Sequence, residues 1–185
     1  SSIFILVIIF GVLGYYFENK ERKKILLSDN YVQAKIYLAD GNTNKATQIL
    51  KEVIFSNDAT YSTLSFFLIL NQNLIKDYKE QTVLFNHLLD NNEFENEVKN
   101  LLIYKKALFH SNSIEEKEFL EDINILLNSK TLWKPHALLL AGDFFTSKKE
   151  YIKAKEFYNQ IFLLKNLEKD FYDQAKSRLV LISND

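Results

Sequence analysis

The chain contains no cysteine, so disulfides, thiolate metal sites and cysteine nucleophiles are all excluded. It has one proline and four glycines in 185 residues. So few chain breakers disfavour turn-dense β architectures and glycine-rich phosphate loops. There is no methionine at all, and we expect the natural N-terminus to lie upstream of Ser1. Neither sign of charge is in excess: 23 basic and 24 acidic residues leave a net charge of −1. A dedicated nucleic-acid binder normally carries a clear basic surplus, so nucleic acid is not an expected partner. What is abundant is apolar: 47% of residues are hydrophobic and 25% charged, a balance that a disordered chain does not have. Composition therefore points to a helical, globular chain of one domain, or one domain with an anchor.

The longest uncharged run is Ile3 to Phe17, IFILVIIFGVLGYYF. Fifteen helical residues reach roughly 22 Å at ~1.5 Å each, against a bilayer core of about 30 Å. We read residues 1–17 as a transmembrane helix cut at its N-terminal end, with Ile3, Phe4, Leu6, Ile9 and Phe10 facing lipid. Tyr15, Tyr16 and Phe17 then suit an interfacial aromatic belt. A buried globular helix and the apolar core of a signal peptide are the other readings of this run. Val12 and Gly14 make a poor cleavage pair for the latter. Residues 18–27 form a charged juxtamembrane helix with Lys20, Arg22, Lys23 and Lys24 set against Glu18 and Glu21. That flank leans weakly towards a cytoplasmic C-terminal side.

From residue 28 to 185 apolar residues recur at spacings of three and four, the period of amphipathic helices. One stripe is Tyr31, Ala34, Tyr37 and Leu38, and another is Ala46, Ile49, Leu50, Val53 and Ile54. Further stripes run through Leu84 to Leu89, Val98 to Leu108, Phe119 to Leu126, Ala154 to Ile161 and Tyr172 to Ile182. Short polar breaks separate them, each with side-chain oxygens able to cap the next helix. Ser113 and Glu116 have capping-box spacing, and Pro135 fits the first turn of a helix opening near Thr131. Tyr61 to Leu70, YSTLSFFLIL, has the β-branched and aromatic content of a buried strand, but its length and surroundings favour helix. Short breaks between helices make neighbours antiparallel. The expected fold class is all-α.

The stripes also repeat at longer range. In a tetratricopeptide unit two helices occupy 34 residues, with small residues where they cross and large ones beside them. Gly142 is followed by Phe145 three later, Ala154 twelve later and Tyr158 sixteen later. The same offsets from Ala34 give Tyr37, Ala46 and Leu50. The two frames are 108 residues apart, close to three repeat lengths. Between them the pattern is degenerate: Ala107 offers a small residue, but Phe119 fills the small slot of its partner helix. A generic helical bundle is the alternative. Stacked helix pairs present their first helices on a concave surface. By that pattern the surface displays Tyr31 and Lys35, then His136, Leu139 and Asp143, a mixture that suits a peptide or protein segment. Trp133 either anchors a partner or closes the last groove.

The segments YVQAKIYLADGNTNKATQILKEVI and WKPHALLLAGDFFTSKKEYIKAKEFYNQI are similar to the ancillary Sec-translocon subunit family. That family shares its repeat domain with bacterial cell-division coordinator proteins. The resemblance implies a single-pass inner-membrane protein whose helical domain lies in the periplasm. There it would meet translocon subunits, chaperones and exported clients. A structural scaffold for another envelope or membrane complex is the alternative function.

Catalytic constellations are missing from the sequence. His87, His110 and His136 are 23 and 26 residues apart, on three different expected helices. The acidic run Glu115, Glu116, Glu118, Glu121 and Asp122, with Lys117 interleaved, reads most simply as a solvated face, an acidic protein-docking patch being the alternative. Asp143 has no partner near it in sequence to make it a general acid. No nucleophile elbow, P-loop or dinucleotide fingerprint occurs. We expect no enzyme activity, no metal, no cofactor and no small-molecule substrate.

Overall fold

The computed structural model describes the backbone of residues 2–183 and the side chains of residues 11–183. Among the described residues the protein is all-helical, with no strand. The helices are α1 (Ser2–Ala39), α2 (Thr43–Ile54), α3 (Ala59–Asn71), α4 (Tyr78–Asn91), α5 (Asn96–His110), α6 (Glu116–Asn128), α7 (Lys134–Ser147), α8 (Tyr151–Ile161) and α9 (Lys169–Leu181). Contacts gather into two compact units, residues 1–93 and 94–185.

In the first unit α1 runs unbroken from the apolar stretch through the charged one and into the first repeat. Gly41 ends it at φ +77°, a left-handed turn residue that glycine adopts without steric cost, and Asn42 N–H reaches back to the Tyr37 carbonyl at 2.8 Å. Asn42 then accepts from Lys45 N–H at 3.2 Å and opens α2. Asp58 caps α3 in the same way, accepting from Thr60 and Tyr61 N–H at 3.1 and 2.9 Å. The segment of strand-like composition, Tyr61 to Leu70, is thus helical, and two of its hydroxyls, Ser62 and Thr63, are hydrogen-bonded. Buried Ser62 donates to the carbonyls of Val53 and Ile54 in the last turn of α2. Ala34 and Ala46 are fully buried, as is Leu50, while Tyr37 is half-buried. Phe66 meets Phe85 edge to face at 4.3 Å between ring centres, joining α3 to α4.

Among the described residues no helix is long and apolar enough to cross a membrane. That finding does not support the span expected over residues 1–17, much of which lies outside the described side chains. Of its anchor residues, Ile3, Phe4, Leu6, Ile9 and Phe10 lie outside the described side chains. Tyr15, Tyr16 and Phe17 are 70%, 61% and 64% exposed.

The second unit is built around α7, whose residues Ala137 to Gly142 are all buried. α8 lies against it, and the crossing is tight. A Cβ on Gly142 would stand 2.2 Å from Cε1 of Tyr158, so only hydrogen fits where that ring rests on the helix backbone. Ala154, Phe145 and Tyr158 are essentially inaccessible around this point. On the other side of α7, Phe119 of α6 stacks flat on Phe144 at 4.0 Å. A bulky residue in the slot of a small one is accommodated there by ring stacking instead of close helix approach.

Three local expectations are corrected. Ser113 does not cap α6; its N–H closes a turn onto the His110 carbonyl at 2.8 Å, and the helix starts at Glu116 after an uncapped Glu115. α7 opens at Lys134 and not near Thr131, because Thr131 is spent on a latch described below. The acidic run of α6 is not simply solvated. Asp122 forms a 2.6 Å ion pair with Lys106, with both side chains about 15% exposed, and Glu116 binds Lys153 at 2.7 Å. These pairs bridge α6 to α5 and α6 to α8.

Replacing Gly142 with alanine should lower the urea midpoint, at a cost of about 1–3 kcal/mol from overpacking against Tyr158. Equilibrium unfolding followed by circular dichroism measures it; an unchanged midpoint would mean that the crossing is loose.

Candidate functional site

The second unit holds a groove of about 980 Å³ lined by α5, α7 and α9 together with the segments that precede α7 and α9. Its wall begins with a latch. Glu97 of α5 accepts from Thr131 Oγ1 at 2.8 Å and from Leu132 N–H at 3.3 Å. Trp133 donates its indole N–H to the Glu97 carbonyl at 3.0 Å and stacks on Tyr104 at 5.6 Å. Trp133 therefore packs, fastening the α6–α7 connection to α5.

His136, in the first turn of α7, sits among aromatic rings. Its centre is 5.6 Å from that of Tyr104, 5.0 Å from Trp133 and 4.8 Å from Phe171 of α9. Burial holds its pKa below 6.5; the Leu132 carbonyl and Glu168 oppose that shift and Lys105 adds to it. Leu139 lines the wall one turn further on.

Asp143 forms the floor. Its Oδ1 accepts from Tyr158 O–H at 2.7 Å and from Arg178 Nε at 2.7 Å. Arg178 Nη1 also donates to Gln174 Oε1 at 3.2 Å on its own helix. Tyr158 O–H lies 3.2 Å from Thr146 Oγ1, which donates to the Gly142 carbonyl at 2.8 Å. One carboxylate thus ties α7 to α8 and α9. Burial, with Asp143 beside it, pushes the Tyr158 phenol far above its ordinary range, so it stays a neutral donor. Burial also raises the Tyr104 phenol, with Asp143 contributing.

Of the residues expected on a concave surface, His136, Leu139 and Asp143 line this one groove. Tyr31 and Lys35 belong to the first unit and do not. There Tyr31 is half-buried 6.4 Å from Tyr61, and Lys35 Nζ lies 5.9 Å from the Tyr31 ring centre. The sequence left Asp143 without a nearby partner because its partners are 15 and 35 residues away. Tyr104, Phe171, Gln174 and Arg178 were not anticipated. A signal for them existed: Tyr104 precedes the buried Ala107 by three, as Leu139 precedes Gly142. Arg178 follows the buried Ala175 by three, as Phe145 follows Gly142. The three histidines occupy separate surroundings. His87 bonds Asn57 Oδ1 at 2.8 Å beside Phe55, His110 is buried in the second unit, and His136 is in the groove.

No family model, curated protein or solved structure matches the chain. The arrangement itself offers a half-buried ion pair between aromatic walls.

Burial lowers the pKa of both His110 and His136, the former opposed by Asp122 and supplemented by Lys106. The unfolded chain therefore binds more protons than the folded one just below the ordinary histidine value of 6.5. Stability is full above that pH and falls as pH drops through it. In a proton NMR titration the imidazole signals of both residues should move below pH 6.5, and the urea midpoint should decline over the same interval.

Proposed function

We propose that the protein is a membrane-tethered protein-interaction module whose second unit accepts a peptide segment in the α5–α7–α9 groove. The observation that carries this reading is the groove. Alternate helices supply its walls, aromatic and aliphatic side chains cover them, and a fixed ion pair forms the floor. Grooves of this composition bury one or two apolar side chains and orient them with a few polar contacts. The alternation of helices, and the small residues where α1 crosses α2 and α7 crosses α8, favour a tetratricopeptide-like α-solenoid. The tether is the apolar run Ile3 to Phe17, supported by exposed rings at Tyr15, Tyr16 and Phe17. With the likeness to ancillary translocon subunits, the reading is an inner-membrane protein, its helical part periplasmic, serving exported proteins and their chaperones. It has no catalytic role.

A scaffold in another envelope complex is the second reading. What favours it is an uncovered apolar stripe on α1, where Ile25, Val32 and Ile36 are 58%, 51% and 56% exposed.

A photo-crosslinking residue in place of Leu108, which lines the groove and is 37% exposed, tests the first reading in cells. The expected products join the chain to a translocon subunit, a chaperone or an exported protein. Products only from probes at Ile25, Val32 and Ile36, with none from position 108, would favour the scaffold.

A further inference from the structure

We propose that the groove reads the main chain of its ligand: an uncharged, extended peptide segment with one aromatic or long aliphatic side chain. Asp143 accepts from a backbone N–H of that segment and Arg178 donates to a backbone carbonyl. This rests on the peptide-binding reading above and states what the peptide must be.

The valences of the floor carry the argument. Asp143 places both of its hydrogen bonds on Oδ1. Its Oδ2 takes none among the described residues, and the side chain is 44% exposed to the groove. A carboxylate offers about four lone-pair sites, so acceptor capacity remains on the open side. Arg178 uses Nε on Asp143 and one Nη1 hydrogen on Gln174, with its side chain 30% exposed. A guanidinium carries about five N–H donors, so donors also remain. An acceptor is thus held beside a donor, the two joined at 2.7 Å. One residue of an extended chain presents the complement, since its N–H and C=O point to the same side.

Charge narrows the ligand. Each floor charge is already offset by the other, so a carboxylate or ammonium ligand gains less here than at an unpaired group. Over the whole lining, basic and acidic residues are equal in number. A neutral amide uses the free valences without disturbing the pair. Because the pair is fixed by Tyr158 and Gln174, little ordering is needed when the ligand arrives. Tyr104, His136, Leu139 and Phe171 above the floor give one apolar side chain a socket. Main-chain reading with one socket tolerates many sequences, which suits a partner whose segments differ.

Trp133 is the only tryptophan of the chain and stacks on Tyr104, so its emission reports the wall. The full chain in detergent is titrated with a capped, neutral heptapeptide of alanine and serine around a central phenylalanine. The proposal expects a saturable change in emission. Methylating the backbone nitrogen of the central residue should weaken binding about tenfold, the loss of one hydrogen bond to a charged group. Replacing that phenylalanine with aspartate or lysine should weaken it too. D143N, which turns an acceptor into a donor while keeping shape, should weaken the parent peptide. Should that variant unfold, the methylated peptide still decides. Equal binding of the methylated peptide, or a preference for a charged one, overturns main-chain reading but leaves a peptide groove. Silence with every peptide overturns it as well, and silence together with no crosslink from position 108 removes the broader reading.

Discussion

The second unit depends on one close contact, the ring of Tyr158 lying on the backbone of α7 at Gly142. Because Gly142 has no side chain, the ring approaches until its hydroxyl reaches Asp143 at 2.7 Å. That bond aims the carboxylate, and the carboxylate holds Arg178 of α9. A packing detail between two helices thereby sets the position of a third. The ion pair works beside other α9 contacts: Phe171 packs on His136, Tyr172 donates to the Leu164 carbonyl at 2.8 Å, and Ala175 and Ile182 are buried. Pairs of this kind are costly to break from one side, since the remaining charge is left half-buried and alone.

The same economy runs through the rest of the groove. Glu97, Thr131 and Trp133 fasten the connection between α6 and α7 to α5 with three hydrogen bonds. Their side chains look functional in sequence, an acid, a hydroxyl and a lone indole, but each is occupied by the fold. Facing the groove are the edge of an aromatic cluster, the unused valences of one ion pair, and charged side chains such as Lys134, Glu168 and Asp170.

Much of this was legible in the sequence where the cause is local. The three-and-four spacing of apolar residues announced helices, and Asn42 and Asp58 announced where two of them begin. The offset of sixteen between Gly142 and Tyr158 announced a crossing, since a missing side chain needs a large one to fill the space. What was not legible is non-local or competitive. Arg178 meets Asp143 across 35 residues, with no periodicity linking a guanidinium to a carboxylate. Ser113 has the spacing of a cap, but a turn onto His110 claims its backbone first. The acids of α6 are spaced as a solvated face would be, but Lys106 of α5 draws Asp122 inward and Lys153 of α8 pairs with the more exposed Glu116. Tyr31 and Lys35 share a repeat frame with Leu139 and Asp143, but the same frame recurs in both units and does not assign residues to one groove.

The central claim is that Asp143 holds α9 and so shapes the groove. Native-state hydrogen exchange on D143A, compared with the unaltered chain, tests it most directly. The account predicts that the amides of Lys169–Leu181 lose protection together while those of α5 and α6 keep theirs. Full protection of α9 in the variant would contradict it and would place the anchor of that helix elsewhere.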